Sequence, residues 1–219
     1  MPYQLPTVIE RALTKHGEIQ LQKRGSDYEI IFNGTFLMAT YNGASEKLLV
    51  RAAIEAAAWP KTVLIAGLGV GFSLAEALQY PAVEKVKVIE IEKKIIEWNR
   101  THLAVYSNNA LSQPQVEVVN ADFIEWMGSS REKFDVICMD IDNGPDWVVM
   151  EANNELYSDA GISNLLKLIN KNGAVSFWSA ARSGPFEQRL KKWFNSVKVL
   201  EIGNQRGEPD YIYLATGPN

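Results

Sequence analysis

The sequence predicts an α/β fold: a doubly wound, mostly parallel, seven-stranded Rossmann-like sheet preceded by a small N-terminal antiparallel β unit. Three observations predict it. From residue 62 onward, short apolar runs alternate with amphipathic stretches of helical period. The first such unit, TVLIAGLGVGFSLAEALQYPAVEKVKVIEIE over residues 62–92, reads as strand, glycine turn, helix, strand and acid. Ahead of it, residues 17–40 alternate apolar and polar at period two around Asn33-Gly34, a hairpin turn. These features divide the chain into a β-hairpin unit over 1–42 and a Rossmann-like nucleoside-binding domain over 43–219.

The elements follow in order. Residues 1–16, with Pro2 and Pro6, predict an irregular lead. Ile19 and Leu21, then Tyr28, Ile30 and Phe32, then Phe36 and Met38, predict about three antiparallel strands. Ser45 predicts the N-cap of a helix that presents Leu48, Leu49, Ala52, Ala53 and Ala56 on one face and runs to Trp59, before Pro60. Strands are expected at 63–66, 86–91, 116–119, 134–141 and 174–178. The helices between them carry Leu74, Ala77 and Leu78; Ile95, Ile96, Trp98 and Leu103; Ile124 and Met127; and Ile162, Leu165, Leu166 and Ile169 over 161–170. Asn172-Gly173 is expected to end the last of these. Pro185 suits the first turn of a helix with Phe186, Leu190, Trp193 and Phe194. Strands at 197–202 and 211–216, joined by a turn rich in Gly, Pro and charge, predict an antiparallel edge.

Composition limits the function classes. At 219 residues with 47% hydrophobic content, the chain supports one domain, or one domain with a small appendage. A net charge of −4 argues against nucleic-acid binding, which favours a basic stripe. Cys138 is the single cysteine, so no intrachain disulfide and no cysteine metal cluster are expected. His16 and His102 lie far apart without ligand spacing, so no metal is expected. No signal peptide or apolar run near ~18 residues is present, which predicts a cytoplasmic protein that does not enter membranes.

Gly67, Gly69 and Gly71 let backbone approach a ligand and let the next helix start tightly against the sheet. Phe72 stands where the dinucleotide fingerprint has its last glycine. The G-x-G-x-G that remains resembles the first motif of class I S-adenosylmethionine-dependent enzymes, whose ligand has no pyrophosphate. The alternative is a turn that only packs helix on strand. Glu90, ending the second strand, is placed to accept hydrogen bonds from both ribose hydroxyls. Asp122 and Asp140 also end strands, where ligands of such sheets bind. Asp140, Asp142, Asp146 and Glu151 would draw in a polycation if they cluster; residues 142–146 would otherwise be an acidic turn. Trp147 and Trp178 follow strand ends and suit either a pocket wall or core and interface packing. A P-loop would need G-K-S or G-K-T after the glycines, and a serine hydrolase G-x-S-x-G; neither is present.

Taken together, these motifs resemble the spermidine synthase (aminopropyltransferase) family from about residue 17 to residue 216. The resemblance rests on the Asn33-Gly34 turn, the glycine turn, V-I-E-I-E with Glu90, N-A-D-F with Asp122, and F-D-V-I-C-M-D ending at Asp140. It continues through Gly144-Pro145, Glu155-Leu156-Tyr157 and Gly173. It implies that Gly67, Leu68, Gly69 and Gly71 back the nucleoside and its methionine-derived portion, and that Glu90 and Ile91 sit at the ribose. Asp122 and Phe123 would hold the adenine edge. Asp140 would be the catalytic carboxylate, with Asp142, Asn143 and Asp146 on the substrate side. The co-substrate would be S-adenosylmethionine or its decarboxylated form, the acceptor a small amine or polyamine, and the protein a homodimer. Two departures stand out. The family's D-S-S-D-P-x-G-P loop is here the shorter D-I-D-N-G-P. Its D-E-x-x-Y-H-E linker is replaced by residues 45–51, SEKLLVR, so the amine-pocket Tyr and His are missing and Lys47 and Arg51 add positive charge. An S-adenosylmethionine-dependent methyltransferase and a catalytically altered nucleoside-binding homologue therefore stand as alternatives.

Overall fold

The structure, a computed structural model, describes residues 5–203 and 208–219. Four strands, β1 (Thr7–Thr14), β2 (Gly17–Arg24), β3 (Asp27–Phe32) and β4 (Thr35–Ala39), form an antiparallel sheet in sequential order. Helix α1 (Ala44–Ala56) leads to β5 (Thr62–Ala66), α2 (Phe72–Ala77), β6 (Lys85–Glu90), α3 (Lys93–Asn99), β7 (Val116–Asn120), α4 (Phe123–Ser129) and β8 (Phe134–Met139). The chain continues through α5 (Asp159–Leu166), β9 (Ile169–Ser179), α6 (Gly184–Trp193), β10 (Phe194–Ile202) and β11 (Asp210–Pro218). The seven-stranded sheet has the order β10-β11-β9-β8-β5-β6-β7. Strands β5 to β9 are parallel, and β11 lies antiparallel between β9 and β10.

Alternation along the central strands supplies two cores. Val63, Ile65, Val86, Val88, Val136 and Cys138 face the layer made by α1, α2, α3 and the small sheet. Leu64, Ala66, Ile89, Ile137, Met139 and Val175 face α4, α5 and α6 on the other side. Strands buried on both faces read as near-continuous apolar runs, which is why β5 and β8 stand out in the sequence; in β6 the run is broken by Lys87, which is paired with Glu117 and Glu132. The small sheet is tied to the α3 side of the large one by polar contacts. Trp98 Nε1 donates to Glu10 at 2.7 Å, Lys94 pairs with Glu10 at 2.7 Å, and Thr14 and His16 both reach Glu92.

Several local expectations are corrected. Residues 7–14 are a strand rather than an irregular lead, so the small sheet has four strands. β1 is an edge strand with a bulge between Val8 and Glu10 and mostly exposed side chains, which removes the period-two pattern. Helix α1 starts after Gly43 and ends at Ala56; Ser45 lies inside its first turn instead of capping it. Helix α5 stops at Leu166, and Asn172-Gly173 lies inside β9, whose register with β8 shifts between Phe134 and Val136. Strand β8 ends at Met139, so Asp140 and Ile141 open the following loop. Of the turn expected between the last two strands, positions 204–207 lie outside the described residues.

Candidate functional site

The chain runs from β5 outward to β7, then crosses back to β8 on the other side of β5. Strand order therefore reverses between β5 and β8, and a crevice forms beyond their C-terminal ends. A cavity of about 180 Å³, several times the ~30 Å³ share of one water, lies there. Of the residues assigned to the nucleoside, the catalytic carboxylate and the substrate side, all line it except Gly71 and Asp146; Glu151, named with the acids that would draw in a polycation, does not line it either. Gly71 caps α2 with φ +90, backed by Asn99 and Ser107. Asp146 is exposed and accepts from Ser183 Oγ at 2.9 Å.

The two sides of the switch point touch through backbone. Asp140 N–H donates to Ala66 O at 2.8 Å. Gly67 has φ +93, and a Cβ there would stand 2.1 Å from the carbonyl oxygen of Asp140, so only glycine lets the two turns meet. Gly69, φ +51, is covered by the sulfur of Met38 from β4, which also receives the Val70 N–H at 3.1 Å. The small sheet thus contributes one wall of the cavity, through Phe32, Leu37 and Met38.

Each acid at the site has a different setting. Glu90 accepts the amides of Leu68 (2.8 Å) and Glu92 (2.7 Å), which fixes its carboxylate against the glycine turn. Burial nevertheless pushes it up to about 7, because desolvation disfavours its charge more than two amides favour it. Asp122 caps α4, accepting from Ile124 N at 2.8 Å. Asp142, at φ +69, accepts from the amides of Asn143, Val149 and Met150 and from Asn153 Nδ2. Four donors fill the lone-pair directions of a carboxylate, so Asp142 holds the loop over 142–153 in shape. Asp140 opens into the cavity and accepts from Ser73 Oγ at 2.6 Å. Desolvation raises it to about 6.

Glu46 and Glu92 are the acids of the site that the sequence reading passed over, and Glu46 is the one that bears on the chemistry. It sits in the first turn of α1, 6% exposed, and lines the cavity. Burial, reinforced by the charge of Asp140, pushes it up to about 8. Tertiary packing brings Glu46 to the site: α1 packs on β8 and β9, and its first turn reaches the cavity, a placement no local motif signals. Lys47 and Arg51, read as cations of the amine pocket, do not line the cavity. Lys47 lies over the Phe72 ring, and Arg51 pairs with Glu76 at 3.0 Å. Trp178 lines the cavity and its buried Nε1 has no partner, as is true of Asn143 Nδ2; Trp147 is 59% exposed. Among the described residues, no helix is long and apolar enough to cross a membrane.

Comparison with known proteins places these features in context. The family model described as "Spermine/spermidine synthase domain" matches residues 43–189. A polyamine aminopropyltransferase of Saccharolobus solfataricus is 29% identical over 157 residues, covering 72% of this chain and 50% of that protein. One from Thermococcus onnurineus is 30% identical over 162 residues, covering 73% of this chain and 55% of that protein. The chain spans about half the length of these curated relatives. Among solved structures, a spermidine synthase in complex with the transition-state analogue AdoDATO superposes with a TM-score of 0.82 at 20% identity, over 96% of this chain and 73% of that one. The spermidine synthase of Thermotoga maritima gives 0.78 at 19% identity, over 96% and 72%.

Proposed function

The chain belongs to the spermine/spermidine synthase family, and from that premise we propose that it is an aminopropyltransferase, using decarboxylated S-adenosylmethionine as donor and a small amine or polyamine as acceptor. One observation carries the choice over methyl transfer. Among the described residues, every ionisable side chain lining the cavity is an acid, Glu46, Glu90, Glu92, Asp122, Asp140 and Asp142, and no base stands there to receive a ligand carboxylate. Intact S-adenosylmethionine brings a carboxylate of its own, which such a wall repels. The decarboxylated form is a dication, and so is a protonated diamine; both are attracted.

The local geometry suits a nucleoside. Gly67, Leu68 and Gly69 bring the turn after β5 to the cavity, Glu90 presents a fixed carboxylate for vicinal hydroxyls, and Phe123 and Ile124 offer apolar surface beside Asp122. In the reaction, the amine lone pair attacks the methylene carbon next to the sulfonium. The C–S bond breaks, its electron pair stays on sulfur as a neutral thioether, and the nitrogen loses a proton. Asp140, held by Ser73 at the switch point, is the group assigned to receive that proton. A carboxylate raised to about 6 is still largely ionised at neutral pH and is a stronger acceptor than an ordinary aspartate.

Calorimetric titration with the two donors tests this reading. The decarboxylated form is expected to bind at least ~10-fold more tightly, about 1.4 kcal/mol. Preference for the intact form would replace aminopropyl transfer by methyl transfer, and binding of neither would remove the nucleoside site. Asp140→Asn is expected to lower kcat by ~10²–10⁴, with a much smaller loss of donor affinity because the other acids still line the cavity. Retained turnover would make Asp140 a bystander.

A further inference from the structure

Most carboxylates around the cavity are already answered by the protein itself. Asp142 is filled by its own loop, Glu90 takes two amides, Asp122 caps α4, and Glu92 takes the Thr14 hydroxyl and the His16 ring. Glu46 is placed differently. It is buried in the cavity wall, and the one side chain that hydrogen-bonds its carboxylate is the hydroxyl of Ser45, at 3.0 Å. Ser73 joins it to the reaction centre: its hydroxyl lies 2.6 Å from Asp140 Oδ2 and 3.3 Å from the carbonyl oxygen of Glu46. Among the described residues, neither Glu46 nor Asp140 is paired with a Lys, Arg or His. A buried carboxylate beside a second one is costly until a cation reaches it.

We propose that Glu46 is the acceptor-selecting residue of the site: its carboxylate receives the second, unreacting ammonium of an aliphatic diamine or polyamine while Asp140 handles the attacking nitrogen. This rests on the aminopropyl-transfer reading above. The apolar surfaces of Trp178, Leu156 and Ile141 line the same cavity and suit the alkylene stem between two such nitrogens. A monoamine would leave Glu46 without its cation, so the site discriminates against it. Lys47, the next residue, turns away to the Phe72 ring, so the helix start presents its acid and not its base to the cavity.

The test compares 1,4-diaminobutane with 1-aminobutane, in the wild type and in Glu46→Gln, which keeps the shape and removes the charge. The reaction is run with saturating decarboxylated S-adenosylmethionine, and donor affinity is measured separately by calorimetry. The wild type is expected to favour the diamine in kcat/KM, and Glu46→Gln to raise the diamine KM by ~10–100-fold. The monoamine KM and the donor affinity should change far less than the diamine KM, so that diamine-over-monoamine selectivity falls. Unchanged diamine-over-monoamine selectivity in Glu46→Gln would overturn the assignment while leaving aminopropyl transfer in place. A uniform loss for both amines and the donor would also overturn it, in favour of a structural role. Absence of turnover and of amine binding in the wild type would instead remove the underlying reading, and Glu46's role with it.

Discussion

Gly67 and Asp140 show how one missing side chain positions another. The glycine is needed for two separate reasons, its φ of +93 and the Asp140 carbonyl 2.1 Å from where a Cβ would stand. Gly67→Ala is therefore expected to destabilise the fold by at least ~1–2 kcal/mol from the backbone alone. Displacement of the Asp140 turn should lower turnover further. Denaturant melts and steady-state kinetics check this, and wild-type values in both would mean that the two turns are not in contact. At this scale the sequence was readable where a residue's role is set by its neighbours in the chain. Glycines after an apolar run and acids at strand ends follow from local pattern. Glu46 was harder to read because its role depends on a helix crossing the ends of β8 and β9, a placement no local spacing encodes. Lys47 and Arg51 were misread for the same reason: one residue of helix rotation separates a cavity wall from the outer surface.

The loop after β8 behaves as an element although it has little regular structure. Asp142 supplies its organisation by accepting from two amides and one side chain across a span of seven to eleven residues, besides the adjacent Asn143 amide. An asparagine there offers one acceptor oxygen and, on the other side, a donor facing donors. Asp142→Asn is expected to cost ~1–3 kcal/mol locally. The loop should then be cut faster by protease between residues 143 and 153, and the acceptor KM should rise while donor affinity holds. Cleavage at the wild-type rate would show that the carboxylate does not order the segment. A chain of turn residues gave this loop away as a loop, and its acids as candidates, but not the division of labour between them. Asp142 faces its own backbone and Asp140 faces the cavity. Likewise β1 escaped notice because an edge strand with one face in solvent and a bulge loses the alternation by which strands are recognised.

For the whole molecule, the opposing settings of its carboxylates dictate how stability follows pH. Glu10, Glu97, Glu117 and Glu187 lie below the usual carboxylate range, chiefly through hydrogen bonds to lysines, so pairing favours the folded state once pH exceeds about 4 to 5. These groups are partly exposed, and solvent screening keeps their share small. Glu46, Glu90 and Asp140 are raised, to about 8, 7 and 6, primarily by burial. Each binds its proton more tightly folded than unfolded, so each contributes stability that is present below its unfolded pKa and is lost as pH rises through its folded one. Stability is therefore expected to fall between about pH 5 and pH 8. Thermal melts across that range should show a decreasing Tm, and Glu46→Gln should flatten the upper part of the decline because its amide does not ionise. A dicationic ligand supplies the charge that the buried acids lack, so the rise in Tm on adding decarboxylated S-adenosylmethionine and a diamine should be larger at pH 8 than at pH 6. A Tm that stays level from pH 5 to pH 8 would mean that water reaches these carboxylates. The cavity would then offer no electrostatic preference for a dication over a ligand that carries its own carboxylate, and methyl transfer would be as well served as aminopropyl transfer.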